Sequence, residues 1–248
     1  MKKRILSILL LCCMVLTLLP TTVLAADGPM DTIPKYDVSI DVYNRTSDIS
    51  IKDSRSYYIY SSVPDKLRDT WAWDKKIFIK GDKTAPHVFI DGVNIEMSPS
   101  SKGPAIELNK KASAYIYFIG KNSSLQGADG RAAIQKNRSE GQLYVLARTG
   151  TTVTCKGGDK AAGIGGSYAT RNISNGYYNG DMYGHGVNMH FGSQTNPDYW
   201  GGTINASGGE YGAGIGAGSW GSTGYGNGIH GGAGEQLYFY SGTVNARG

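Results

Sequence analysis

Seven aromatic side chains, Tyr177, Tyr178, Tyr183, Tyr199, Trp200, Trp220 and Tyr225, fall in glycine-rich stretches where little else is apolar. Aromatic faces in exposed loops suit sugars, because the C–H face of a pyranose stacks on a flat ring while its hydroxyls bond nearby Asn and Asp. The competing expectation is that these rings pack their loops onto the body of the protein, since Tyr and Trp bury well with a polar tip. A second set is Asp129, Asp159 and Glu210, each five residues ahead of an isoleucine: Ile134, Ile164 and Ile215. If those isoleucines align in successive layers, three carboxylates stack at one turn. Like charges about 5 Å apart repel. Such a row is either a solvated polar turn, the preferred expectation, or a seat for Ca²⁺, which takes oxygens from carboxylates and backbone carbonyls.

Other chemistry finds little support. His87, His185, His190 and His230 fall in no HExxH-type zinc spacing. No Gly-x-Ser-x-Gly elbow occurs, and the Gly163 to Ser167 stretch lacks the lysine and helix of a phosphate loop. Cys155 lies two residues from Val153 and shares its strand face, as a buried inert thiol would. The acids on strand-like runs, Asp91, Glu96 and Glu107, align with Gly120, Gln126 and Gln135 one repeat later, so they do not cluster as a catalytic pair.

The elements that must position these residues repeat along the chain. Ile106, Ile134, Ile164 and Ile215 form one column, spaced by 28, 30 and 51 residues; the last two sit in Ala-Gly-Ile-Gly. Ile95, Leu125, Val153, Ile204 and Val244 form a second column, spaced by 30, 28, 51 and 40. Ile90, Ile119 and Leu146, extended through Met189 and Phe239, form a third. Three short β runs per repeat with turn residues between them predict a coil of three strands. Each aliphatic buried in such columns contributes roughly 1.5–3 kcal/mol relative to exposure. An antiparallel sandwich needs hairpin signals and gives no position-matched columns. A disordered tail is the other possibility, as 28 of the 36 glycines lie between Gly150 and Gly248. Disordered glycine tracts, however, carry no stacked Ile and Val at fixed offsets. The expectation is an all-β, right-handed parallel β-helix of about six coils. Residues 37–76 are expected to supply an N-terminal cap and the first coil, and 77–248 the repeating coils. The long intervals are insertions that leave directly after Ala-Gly-Ile-Gly, and insertions at one column emerge on one face, often the binding face.

The units Gly202 to Ala206 (Gly-Thr-Ile-Asn-Ala) and Gly242 to Ala246 (Gly-Thr-Val-Asn-Ala), with the Ala-Gly-Ile-Gly motifs, resemble repeats of secreted Gram-positive proteins. Val88 to Ile95 and Phe118 to Leu125 resemble coils of the same group, a family of parallel β-helix carbohydrate-binding domains and repetitive surface adhesins. The resemblance covers roughly 77–248 and departs at 167–187 and 191–201, where this chain has longer loops. It implies a β-helix and a glycan ligand.

The first 25 residues read as a signal peptide: Lys2, Lys3 and Arg4, an apolar run from Ile5 to Leu19, then Val23-Leu24-Ala25 before Ala26. A linker, 26–36, follows. Of 25 basic residues, 22 remain after the leader against 20 acidic, a balance too even to argue for nucleic acid. Cys155 is the only cysteine left, so no internal disulfide forms. No later apolar stretch is long enough to enter a membrane. Because Gly248 falls where Gly157 and Gly208 continue into another coil, more coils are expected beyond it, together with surface attachment. The functional expectation is a secreted or cell-surface, non-catalytic β-helix that binds a polysaccharide or host-surface glycan. A polysaccharide lyase or glycoside hydrolase is the alternative, and a structural stalk the third.

Overall fold

A computed structural model describes residues 35–98, 103–109, 111–136, 140–172, 184–223 and 229–248. Residues 33–248 form one unit, and the expected leader lies outside the described residues. The unit is a parallel β-helix whose chain runs in turn through three sheets. Sheet A stacks Val38–Asp41, Ser56–Tyr60, His87–Asp91, Ala114–Ile119, Leu143–Ala147, Gly186–Phe191 and Gly234–Phe239. Sheet C follows with Asn94–Glu96, Ser123–Gln126, Thr152–Lys156, Thr203–Ser207 and Thr243–Arg247. Sheet B closes each coil with Ile49–Ile51, Ile77–Lys80, Ile106–Asn109, Ile134–Gln135, Ile164–Gly165 and Ile215–Gly216. Every pairing within these sheets is parallel, starting with Val38 against Tyr57. Residues 37–76 therefore carry the first coil and open the second. Those two coils have no sheet C strand; Trp73 stands in for it in the second, bridging Ile95.

The isoleucine column is in register throughout, and it is longer than expected: Ile49, Ile77, Ile106, Ile134, Ile164 and Ile215 face one another coil by coil. The second column is not continuous. Ile95 faces Leu125, but Leu125 faces Cys155, and Val153 faces Ser123 on one side and Ile204 on the other. The shift is two residues, one pleat period, so both sets still point inward. Its trace is the 28-residue Leu125–Val153 interval against 30 for Ile134–Ile164.

The third column fails, by one residue at its first step and by two or three residues at each step after it. Ile90 faces Phe118, while Ile119 and Leu146 face Asp91 and Tyr117; Met189 faces Leu143 and Phe239 faces Phe191. A one-residue slip moves a side chain to the opposite face. Apolarity could not prevent the error here, because all six residues of Ala114–Ile119 are buried, on both faces of the strand. The same slip sets Asp91 beside Ile119 rather than Gly120.

Outside sheet A, five rings form one stack along the axis: His87, Tyr115, Tyr144, His190 and Tyr238, with successive centroids 4.7, 4.6, 4.3 and 4.7 Å apart. These spacings are those of the strands themselves. The two insertions leave after Gly166 and Gly218 and meet each other: Ala169–Asn172 pairs in parallel with Ser219–Thr223, which pairs antiparallel with Ile229–Gly231.

Candidate functional site

The central strand of sheet C alternates strictly, with Val153 and Cys155 buried while Thr154 and Lys156 are exposed. Parallel registration then lines up the outward side chains of successive coils. One column reads Asn94, Ser124, Thr154, Asn205 and Asn245. Beside it run Thr152, Thr203 and Thr243, with Asn122 ahead of them accepting the Thr152 N–H through Oδ1 at 2.8 Å. On the other flank stand Glu96, Gln126, Lys156, Ser207 and Arg247. The Asn245 amide donates to Asn205 Oδ1 at 2.8 Å, so two neighbouring amides hold each other in orientation.

Concave sites lie on this face and its border. One, of about 600 Å³, sits under the 3₁₀ turn Asp65–Leu67 and is floored by Asn94, Ser124, Thr152 and Thr154. Arg68 ties the wall down by donating to the Gly92 carbonyl at 2.9 Å, and Asn94 Nδ2 donates to the Arg68 carbonyl at 2.9 Å. Lys121 reaches Asp65 at 2.7 Å and holds that carboxyl below its ordinary range; with both partners exposed, the pair adds little to stability. A second, of about 400 Å³, is lined by Thr154, Asn205, Asn245 and Arg247. A third, of about 680 Å³, follows the turn from sheet C to sheet B and takes in Thr70, Glu96, Gln126, Lys156 and the three acids Asp129, Asp159 and Glu210.

Those acids do occupy one turn on successive coils. Gly130 N–H donates to the Asp159 carbonyl and Lys160 N–H to the Glu210 carbonyl, both at 2.9 Å. The next residue of each turn, Gly130, Lys160 or Tyr211, is left-handed, with φ of 72°, 63° and 63°. Their side chains do not converge. Asp159 faces Lys160 at 3.0 Å and raises that ammonium's pKa, and among the described residues no group of three His, Cys, Asp or Glu could hold a metal ion.

Tyr211 was missed by the sequence reading. It is 59% exposed, and its hydroxyl bonds Glu210, which raises its pKa. A bulky side chain on left-handed backbone carries strain of order 1 kcal/mol, and strain of this kind gathers at functional positions. The signal available was positional: the same turn holds Lys160 and Gly130 one and two coils earlier. Also missed were the uncharged columns, whose trace is Thr152-x-Thr154, Thr203-x-Asn205 and Thr243-x-Asn245.

Of the seven aromatics expected as stacking platforms, Trp200 is a correction. Only 1% of it is exposed. It packs at a tilt against Tyr117 on the outside of sheet A, centroids 5.1 Å apart, because loop 192–201 folds back over an apolar outer face. Tyr199 is half-buried, edge-on to Trp200, with the Arg148 guanidinium 5.5 Å from its ring centre. Tyr177, Tyr178, Tyr183 and Tyr225 lie outside the described residues, as does the side chain of Trp220, whose backbone pairs with Ala169. No protein-family model matches the chain, and no curated protein or solved structure matches it either.

Proposed function

We propose that this is an exported, non-catalytic glycan-binding β-helix whose binding face is the outside of sheet C and its turn into sheet B. The observation that carries this reading is Tyr211, an exposed ring held on strained backbone beside a concave polar strip crossing several coils. A sugar polymer asks for both parts: a flat apolar surface for its C–H face, and closely spaced hydroxyls, amides and carboxylates for its own hydroxyls. The leader-like first 25 residues support export. Among the described residues no helix is long and apolar enough to cross a membrane.

One observation favours an enzyme as the second reading. The acid row and Lys156 line the same 680 Å³ groove, and β-helix lyases and hydrolases work with carboxylates and a base on such a surface. Retention on a panel of insoluble polysaccharides, with and without Ca²⁺ and with release of reducing and unsaturated ends followed, separates the readings. Binding without release is expected. Product release instead makes the protein an enzyme, and no retention leaves a stalk. Tyr211→Gly locates the site: it relieves the left-handed strain and should raise stability by about 0.5–1 kcal/mol. Loss of a stacked ring should meanwhile weaken binding about fivefold. Parent-like affinity in that variant would remove Tyr211 from the site.

A further inference from the structure

We propose that the glycan lies along the helix axis over sheet C as an extended, uncharged, β-1,4-linked chain with one sugar residue per coil, an inference that rests on the glycan-binding reading above. The composition of the columns leads to it. From Ser124 through Thr154 and Asn205 to Asn245, and from Thr152 through Thr203 to Thr243, every outward side chain is a hydroxyl or an amide. Within the sheet C strands charge is confined to one flank, where Glu96, Lys156 and Arg247 mix both signs, and the groups bordering the first coils, Asp65, Arg68, Asp69 and Lys121, are mixed in sign too. A polyanionic or polycationic ligand would find no run of complementary charge there; a neutral one needs none.

Ser, Thr and Asn share a property that Asp and Lys lack: each both donates and accepts. Successive residues of an extended β-1,4 chain turn over, so neighbouring coils meet opposite edges of the sugar ring. A group that can play either role meets whichever lone pair or hydroxyl hydrogen an edge presents, whereas a carboxylate only accepts and an ammonium only donates. Spacing points the same way. Coils repeat every ~4.8 Å, nearly the advance of one residue in such a chain, so contacts stay in phase across the face. An α-1,4-linked chain curls away from a straight row after a residue or two. The mutual hydrogen bond of Asn205 and Asn245 pre-orients two of the amides and reduces the ordering cost of binding. At the other end the Asp65–Leu67 turn stands over Asn94 and Ser124 and closes the track there.

Calorimetry on the secreted chain tests this with neutral β-1,4-linked oligosaccharide series (gluco, manno, xylo and N-acetylglucosamine) from disaccharide to octasaccharide, and an α-1,4-linked glucose series as control. At least one β series should gain affinity several-fold per added sugar over the first few sugars, while the α series stays flat. The double variant Thr154→Ala/Asn205→Ala, both on the outer face, should bind the hexasaccharide about tenfold more weakly than the parent. Equal affinity for disaccharide and hexasaccharide in all four β series overturns the proposal. So does a matching gain in the α series, or a double variant that binds the hexasaccharide like the parent. If any of these occurs while insoluble polysaccharide is still retained and Tyr211→Gly still weakens retention, glycan binding survives and only the axial, linkage-specific reading falls. Absence of retention by every sugar removes both.

Discussion

His190 sits fourth in the ring stack, between Tyr144 and Tyr238, with Nδ1 3.0 Å from the Tyr240 hydroxyl. Its Nε2 is buried without a hydrogen-bond partner, and burial lowers its pKa. In the unfolded chain the ring titrates near pH 6.5. Between the two pKa values the unfolded state holds more protons, so stability rises with pH there. The contribution is intact above about pH 6.5 and declines as the pH falls below it. Melting temperature should drop between pH 7.5 and 5.5 in the parent and drop less in His190→Phe, which keeps the stack. Identical pH profiles would mean that the ring is protonated without cost. Tyr211 makes the opposite kind of residue-scale point, since its strain persists although glycine would remove it, as at Gly130.

In sheet B and its turns, backbone contact between coils decides which residues are tolerated. Gly165 has φ of 130°, and a Cβ there would lie 2.0 Å from the Gly216 carbonyl oxygen of the next coil. Gly216 itself has φ of 121°. This is why Ala-Gly-Ile-Gly recurs: its isoleucine fills the core while its last glycine allows the coils to close up. Gly150 has φ of 84° but open space around its missing Cβ. Urea denaturation should therefore show Gly150→Ala costing about 1 kcal/mol from backbone strain alone. Gly165→Ala should cost at least twice that, because strain and clash add. Equal costs for the two would show that the coils can separate locally at little expense.

At the scale of the molecule each coil contacts only its neighbours, so stability is close to a sum of coil and interface contributions. The buried columns run without interruption from Val42 to Ala206, and protection should follow burial and pairing. Amides of Leu143–Ala147, between two paired strands and almost wholly buried, should be the slowest in hydrogen exchange. Those of Val38–Asp41, half-buried and paired with Ser56–Tyr60 alone among the described strands, should exchange faster. Uniform protection across the coils would mean that the solenoid opens only as a whole.

Periodicity alone carried the architecture. Apolar residues recurring at matched offsets, with glycine at the turns, admit little besides a three-sided coil, and the isoleucine ladder appears in the structure where the spacing placed it. Registration was less legible. In sheet A both faces are apolar, so the pattern could not say which of Phe118 and Ile119 points inward; a loop had to fold over the outside, burying Trp200, before that face made sense. The alignment of Asp129, Asp159 and Glu210 followed from counting back from the ladder, but where their side chains point did not. That depends on local partners such as Lys160. Tyr211 and the columns of Thr and Asn were present as letters all along. Only the stacking of coils, bringing residues 28 to 51 positions apart to within one strand spacing, turns them into a continuous surface.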